Sequence, residues 1–296
     1  MKSVYVALTI LSASVVIIGE SYANSIHGNN PQRYFGEQPP GLNPKLFSPK
    51  ILSPDGRFEG GNFNPDMSEY YFTRKNGKYK QRTFFVIRYE DGRWGEEQET
   101  NIRWPMFSVD GNTMFLGKQY REKTSTGWSA IKNLGEFIDE QAHGLSVAAN
   151  GTLYFPFFKK EDNGHGNLGF SRLVNGKYEQ PVKLNADINM GQYIAHPYIA
   201  PDESYLMWDV EREDGFGQAD IYLSFKLKNG VWSSPINMGN NINTAAQESS
   251  PWVSYDGKYL FFTRGNWEVN DDGTKNYVGK RYWVDAKVIE SLRPSE

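Results

Sequence analysis

Apolar residues along this chain gather in short runs, aromatic or β-branched, that do not alternate with polar ones. Five stand out: Tyr70-Tyr71-Phe72-Thr73, Met114-Phe115-Leu116, Leu153-Tyr154-Phe155, Tyr205-Leu206-Met207-Trp208 and Tyr259-Leu260-Phe261-Phe262-Thr263. A strand wetted on one face alternates, whereas a strand covered on both faces is apolar throughout. Gly, Asn and Pro punctuate the chain too often between the runs for buried helices, so strands are predicted.

Each run follows a similar turn. The turns read Phe63-Asn64-Pro65-Asp66-Met67, Phe107-Ser108-Val109-Asp110-Gly111, Val147-Ala148-Ala149-Asn150-Gly151, Ile199-Ala200-Pro201-Asp202-Glu203 and Val253-Ser254-Tyr255-Asp256-Gly257. Pro presets the first turn angle, Asp or Asn bonds back to the backbone, and Gly accepts a positive φ. The Asp/Asn positions recur at intervals of 44, 40, 52 and 54 residues. Self-similarity at about 40–50 residues marks propeller blades.

Later parts of each unit repeat as well. A third strand is predicted at Thr83-Phe84-Phe85-Val86, Leu168-Gly169-Phe170, Asp220-Ile221-Tyr222-Leu223 and Tyr282-Trp283-Val284. It leads to a second hairpin carrying an aromatic, at Trp94, Trp128, Tyr178 and Trp232. Four strands per unit follow, the number in a propeller blade. The fifth unit lacks a fourth strand after Trp283, and the N-terminal stretch Pro44-Lys45-Leu46-Phe47-Ser48-Pro49-Lys50-Ile51-Leu52 resembles the missing piece. The expected fold is therefore all-β: one propeller of five four-stranded antiparallel blades, closed by an N-terminal strand that removes the exposed edges. A sixth, degenerate blade in the longer third or fourth interval is the alternative.

The start of the chain reads differently. Lys2 precedes an apolar stretch over residues 4–19, and Ser21-Tyr22-Ala23 offers small residues for cleavage before Asn24, the pattern of an export signal over residues 1–23. The stretch is shorter than the ~20 residues a spanning helix needs, so no stable membrane insertion is expected after cleavage. Residues 24–296 then form the single propeller domain, with 24–40 a leader of little order. The chain has no cysteine, which excludes a lipid anchor on that residue and leaves stability to packing. A bacterial periplasmic or secreted location fits. The net charge of −3 is spread along the chain, without the basic patch a nucleic-acid surface requires.

The Pro-Asp-Gly hairpins, with Gly217-Gln218-Ala219-Asp220-Ile221-Tyr222 and Trp232-Ser233-Ser234-Pro235, resemble the WD40-like propeller repeat of the TolB type. The stretches Ala195-His196-Pro197-Tyr198-Ile199-Ala200-Pro201-Asp202 and Asp256-Gly257-Lys258-Tyr259-Leu260-Phe261-Phe262 are similar to an exported bacterial subgroup. The resemblance covers roughly residues 34–290 and is specific for fold. Members of that family include a translocation component, propellers attached to serine peptidases and a class of oligogalacturonate lyases. No Gly-x-Ser-x-Gly elbow and only four histidines are present, so the resemblance carries over no catalytic residue.

In such a ring, the residues five and six positions before the Pro position of each hairpin surround one end of the central channel. They are Glu59/Gly60, Arg103/Trp104, His143/Gly144, Ala195/His196 and Ser249/Ser250, with Glu248 one step further. Convergent loop positions around a concavity favour a ligand site, and Glu59, Arg103, Trp104, His143, His196 and Glu248 are the candidates. The competing reading is that these groups satisfy buried loop carbonyls. Glu59 with Glu248, and Asp209 beyond them, are the carboxylates to test for glycosidase chemistry. His143 and His196 lack further metal donors at a recognisable spacing, so no metal or cofactor is expected. Trp104 and Trp252 are the candidates for stacking, whereas the recurrent Trp94, Trp128, Tyr178 and Trp232 read as packing.

These features point to an exported, non-catalytic propeller that binds an envelope partner protein or a glycan on its loop face. The alternative is a carbohydrate-active enzyme, a glycosidase or polysaccharide lyase, with its site at the channel.

Overall fold

The computed structural model describes residues 31–47, 58–76, 79–135, 144–157, 165–269 and 273–295. Each of the five apolar runs lies in the second strand of an antiparallel sheet, with the segment before its hairpin as first strand. Blade 1 runs Phe58–Phe63, Glu69–Asn76, Tyr79–Glu90 and Gln98–Glu99; blade 2, Met106–Phe107, Thr113–Leu116, Gln119–Thr124 and Lys132–Asn133. Blade 3 runs Ser146–Val147, Leu153–Phe157, Asn167–Ser171 and Val182–Lys183, and blade 4 Gln192–Ile199, Tyr205–Glu211, Asp220–Phe225 and Ile236–Asn237. Blade 5 takes Gln247–Val253, Tyr259–Val269 and Lys275–Asp285 from the C-terminal end and Lys45–Leu46 from the N-terminal end. The chain is thus a five-bladed β-propeller. The extra residues of the fourth interval lengthen the strands of blade 4 and build loops at 212–219 and 238–246.

The five first hairpins share one geometry. The Asp or Asn side chain accepts from the backbone N–H two residues on in every blade, at 2.9–3.2 Å (Asp66, Asp110, Asn150, Asp202 and Asp256). The next residue has positive φ each time: Met67 at 57°, Gly111 at 71°, Gly151 at 83°, Glu203 at 59° and Gly257 at 73°. A tight turn followed by a left-handed residue matches the twist of the flanking strands. Met67 occupies this position with its side chain in the core. Glu203 does so while binding Tyr154 Oη, Asn150 Nδ2 and Lys226 Nζ.

Apolar strand faces meet between neighbouring blades, which is why the runs do not alternate. Tyr71, Val86, Phe107 and Met114 fill the space between blades 1 and 2, with Trp128 against them. Phe115, Leu145, Leu153 and Phe155 join blades 2 and 3, with Tyr178 alongside. Tyr154, Leu168, Leu206 and Trp208 join blades 3 and 4, with Trp232 alongside. The largest cluster joins blade 5 to both blade 4 and blade 1.

That cluster contains the closure of the ring. Lys45 and Leu46 pair with Trp283 and Tyr282, and Phe47 N–H donates to Arg281 O at 2.9 Å. The Phe47 ring lies 4.9–6.1 Å from those of Phe35, Phe63, Tyr70, Phe261 and Trp283. Part of the expected leader is ordered instead: Tyr34 and Phe35 are buried, Tyr34 Oη donates to Asp256 (2.7 Å), and Phe35 lies 4.2 Å from Trp94. Two consecutive aromatics bury too much apolar surface to stay in water. The expected signal over residues 1–23, and residues 24–30, lie outside the described residues. Among the described residues no helix is long and apolar enough to cross a membrane.

Replacing Phe47 by Ala removes the ring that five others contact, and is expected to cost about 3–5 kcal/mol. Urea unfolding read by tryptophan fluorescence measures this; a loss below ~1 kcal/mol would show that the closing strand does not hold the ring.

Candidate ligand site at the channel mouth

One residue per blade, five positions before the Pro position of its hairpin, has left-handed backbone. These are Gly60 (φ 54°), Trp104 (42°), Gly144 (82°), His196 (44°) and Ser250 (54°). In blades 1, 4 and 5 the register slips there, as in a β-bulge. The bulges stand around one end of the channel, where each fourth strand connects to the next blade and each second strand turns into the third. A bulge bends its strand and re-aims a side chain. Glycine takes this backbone freely, whereas a side-chain-bearing residue costs about 1–3 kcal/mol. Trp104, His196 and Ser250 accept that cost around a single aperture.

His196 is braced from behind. Its Nδ1–H donates to both oxygens of Asp209, at 2.9 and 3.1 Å, and the Asp209 carboxylate is buried. Asp209 also accepts the Ser250 N–H at 2.9 Å, so one carboxylate joins the bulges of blades 4 and 5. The imidazole keeps more than a third of its surface exposed. On its blade 3 side sits Gly144, where a Cβ would come within 3.0–3.1 Å of His196. Burial opposes charge on the ring and so does Arg281, but Asp209 outweighs them, and His196 titrates above the ordinary imidazole value.

Arg281, on the third strand of blade 5, lies directly under the Ser250 bulge. Its Nη1 donates to Ser250 O at 3.1 Å, its Nη2 lies 3.4 Å from Asn62 Oδ1 in blade 1, and its Nε is buried without a hydrogen-bond partner. The residue is 2% exposed. Burial lowers its pKa to about 10, so it stays charged at neutral pH. No carboxylate lies within ion-pair reach of it among the described residues. The run Gly279-Lys280-Arg281-Tyr282-Trp283 placed a cation inside a core strand, a signal that sequence reasoning passed over.

At the opposite rim, Trp104 is 52% exposed. Its indole meets the Phe84 ring edge-on at 4.9 Å, with Arg82 5.4 Å from its centroid, while Arg103, also exposed, lies 5.4 Å from that of Phe84. Tyr193, Phe216 and Trp267 are further exposed aromatics on segments at this end; nothing in their sequence context distinguished them from packing residues.

Two expected site residues belong elsewhere. Glu248 is fully buried, and its two oxygens accept from Thr244 N, Thr244 Oγ1 and Arg264 Nε at 2.7–2.8 Å. Extended backbone before the bulge turns it into blade 5. Trp252 lies past the bulge and packs in the core against Phe63 and Phe261. Of Glu59 only the backbone is described, paired with Thr73, and His143 lies outside the described residues. Further down the channel, Tyr255 Oη bonds the Phe107 backbone across the ring. Met106, Ser146, Tyr198 and Trp252 there help line a cavity of about 110 Å³. No three His, Asp or Glu side chains among the described residues come together to hold a metal ion.

No protein-family model matches the chain, and no curated protein matches it in sequence. Solved structures resemble it at low identity. TolB from Acinetobacter baumannii is 12% identical over 77% of this chain, with a TM-score of 0.46; this chain spans 57% of that protein's length. A putative TolB from Agrobacterium tumefaciens is 13% identical over 77% of this chain and 84% of its own, with a TM-score of 0.45. An oligogalacturonate lyase in complex with manganese is 13% identical over 75% of this chain and 64% of its own, at 0.39. Likeness at this level carries no activity or partner across.

The bulge ring makes opposite predictions for two neighbouring positions. Gly144→Ala places a Cβ against His196 at positive φ and lowers stability by about 1–3 kcal/mol. Ser250→Gly keeps the backbone bonds to Asp209 and Arg281, and is neutral or stabilising by up to about 1 kcal/mol. Thermal unfolding compares them; the reverse order would refute the strain assignment. His196 gives a second test. Its raised pKa contributes stability that is fully present below the unfolded-state value and lost as pH rises through the folded one. In Asp209→Asn the NMR titration of His196 moves to lower pH, and an unchanged midpoint would remove Asp209 as the cause.

Proposed function

We propose that this chain is an exported, non-catalytic propeller of the bacterial envelope that binds a partner, protein or glycan, at the channel mouth. The observation that carries this reading is the left-handed backbone at Trp104, His196 and Ser250 around one aperture. Strain clusters at binding sites, and while Asp209 offsets part of the cost at His196 and Ser250, the strained Trp104 leaves its indole in water with no such return. The apolar stretch over residues 4–19 with Ser21-Tyr22-Ala23 supports export, and cleavage after Ala23 leaves a mature chain beginning at Asn24.

Glycosidase chemistry needs two carboxyl groups flanking the bond, about 5–10 Å apart. Among the described carboxylates Glu248 has both oxygens engaged and Asp209 is occupied by His196 and Ser250, which favours binding over hydrolysis. One observation supports an enzymatic reading: an imidazole with Nδ1 on a buried carboxylate and its other edge in solvent can take a proton. A lyase would use His196 in this way.

The test is a binding screen of the mature protein against a glycan panel and envelope extract, beside a Trp104→Ala/His196→Ala double variant. The expected result is ligand capture by the wild type, weakened about tenfold or more in the variant, with the variant still folded by far-UV circular dichroism at the assay temperature although its melting temperature falls with the loss of the His196–Asp209 pair. Equal capture by both would remove the mouth as the site, and turnover of a captured glycan would favour the lyase. N-terminal sequencing of the protein recovered from the periplasm should begin at Asn24; a chain retaining residues 1–23 would overturn the cleaved signal.

A further inference from the structure

Among the described side chains the charges around the mouth do not balance. On the acidic side, Asp209 is bound to His196 and Ser250, and Glu248 is neutralised by Arg264 inside blade 5. On the basic side His196 is answered by Asp209, which leaves Arg103 and, directly behind the Ser250 bulge, the buried Arg281. Among the described residues neither Arg103 nor Arg281 has a carboxylate within ion-pair reach. A buried guanidinium without a counter-ion is costly unless something supplies the charge, and Arg281 also keeps an unpartnered Nε. This local excess runs against the net charge of the whole chain, which is −3.

The aperture has a shape as well as a charge. In ring order Trp104 precedes Gly144 and His196 follows it. A Cβ at Gly144 would press within 3.0–3.1 Å of His196 at positive φ, so among the described residues no side chain stands at the blade 3 position between the indole and the imidazole. The indole is fixed edge-on to Phe84 with more than half its surface in water. A flat, fixed aromatic face suits a ring whose own face is lined with C–H groups. Those positively polarised hydrogens meet the negative face of the indole, and the hydroxyls turn to the polar rim. An acidic peptide offers the charge but not the flat face.

We propose that the mouth binds an anionic saccharide, its pyranose ring on Trp104 and its acid groups held by Arg103 beside it and His196 beyond Gly144. The acid is a carboxylate or a phosphate, the shared chemistry being an anion on a sugar ring. This rests on the binding reading above and adds the ligand class. The buried Arg281 sets the positive potential of the site from behind as a positioning residue.

The experiment titrates the mature protein, by calorimetry and tryptophan fluorescence, with trimannuronate, glucose 6-phosphate, maltotriose and triglutamate. The expected result is saturable binding of trimannuronate, of glucose 6-phosphate or of both, which identifies the acid, and little binding of maltotriose. Trp104→Ala weakens binding about tenfold or more, whereas Trp104→Phe retains most of it. Arg103→Gln weakens the charged ligands about tenfold and leaves maltotriose unchanged. Affinity falls as pH rises through the His196 titration, a group that faces Asp209 and Arg281, and this dependence disappears in His196→Gln.

Equal affinity for maltotriose would overturn the anionic assignment and leave the binding reading standing. Binding of triglutamate in place of the sugars would overturn the saccharide and point to an acidic protein. If no probe binds but the double variant still loses capture of an envelope component, the saccharide alone falls. If neither assay responds to the mouth substitutions, both readings fall.

Discussion

The pairing of two residues near the N-terminus with a strand near the C-terminus is the constraint on which everything else rests. Lys45 and Leu46 complete blade 5, and Phe47 inserts among five aromatic rings from the N-terminal segment, blade 1 and blade 5. Without that pairing, blade 5 has an open outer edge and blades 1 and 5 have no reason to stay together. The closing backbone bond runs from Phe47 to Arg281, the residue whose guanidinium spans from Ser250 in blade 5 to Asn62 in blade 1. The interaction that shuts the ring therefore also fixes the cation behind the mouth.

Two sets of left-handed residues recur through the blades, and their contrast separates scaffold from site. At the hairpin turns the departures from glycine have structural reasons: Met67 fills the core and Glu203 ties blade 3 to blade 4 through Tyr154 and Asn150. At the mouth, His196 and Ser250 share Asp209, which links two blades and accounts for part of their cost. Trp104 has no comparable reason. Its contacts to Phe84 and Arg82 hold the indole in place but leave most of it in water.

Electrostatics follow from the same placement. Asp209 is buried, favours the protonated form of His196, and accepts a second bond from the Ser250 N–H. Arg281 pulls in the other direction, and the position of the His196 titration reflects their competition. A ligand that brings negative charge to this opening relieves both cations together.

Residue order alone determined the hairpin chemistry and the closure and pointed to five blades, with a sixth left open until the strand pairing excluded it, because each depends on local signals repeated along the chain. Asp or Asn two residues before a bonded N–H, an unbroken apolar run and an orphan strand somewhere within residues 44–52 are legible without coordinates; that Lys45 and Leu46 make the pairing is not. The constant offset from the hairpin at which the five left-handed residues recur is legible too. What only the tertiary structure decided is which side chains near those positions are available. Glu248 stands two residues from Ser250 yet faces Arg264 inside the blade, and Trp252 stands two residues on the other side yet is buried. Arg281 is distant in sequence from every other mouth residue except those of its own blade. A bulge inverts the alternation of facing residues within one or two positions, and a closed ring brings together strands from both ends of the chain; neither effect leaves a mark in the local pattern.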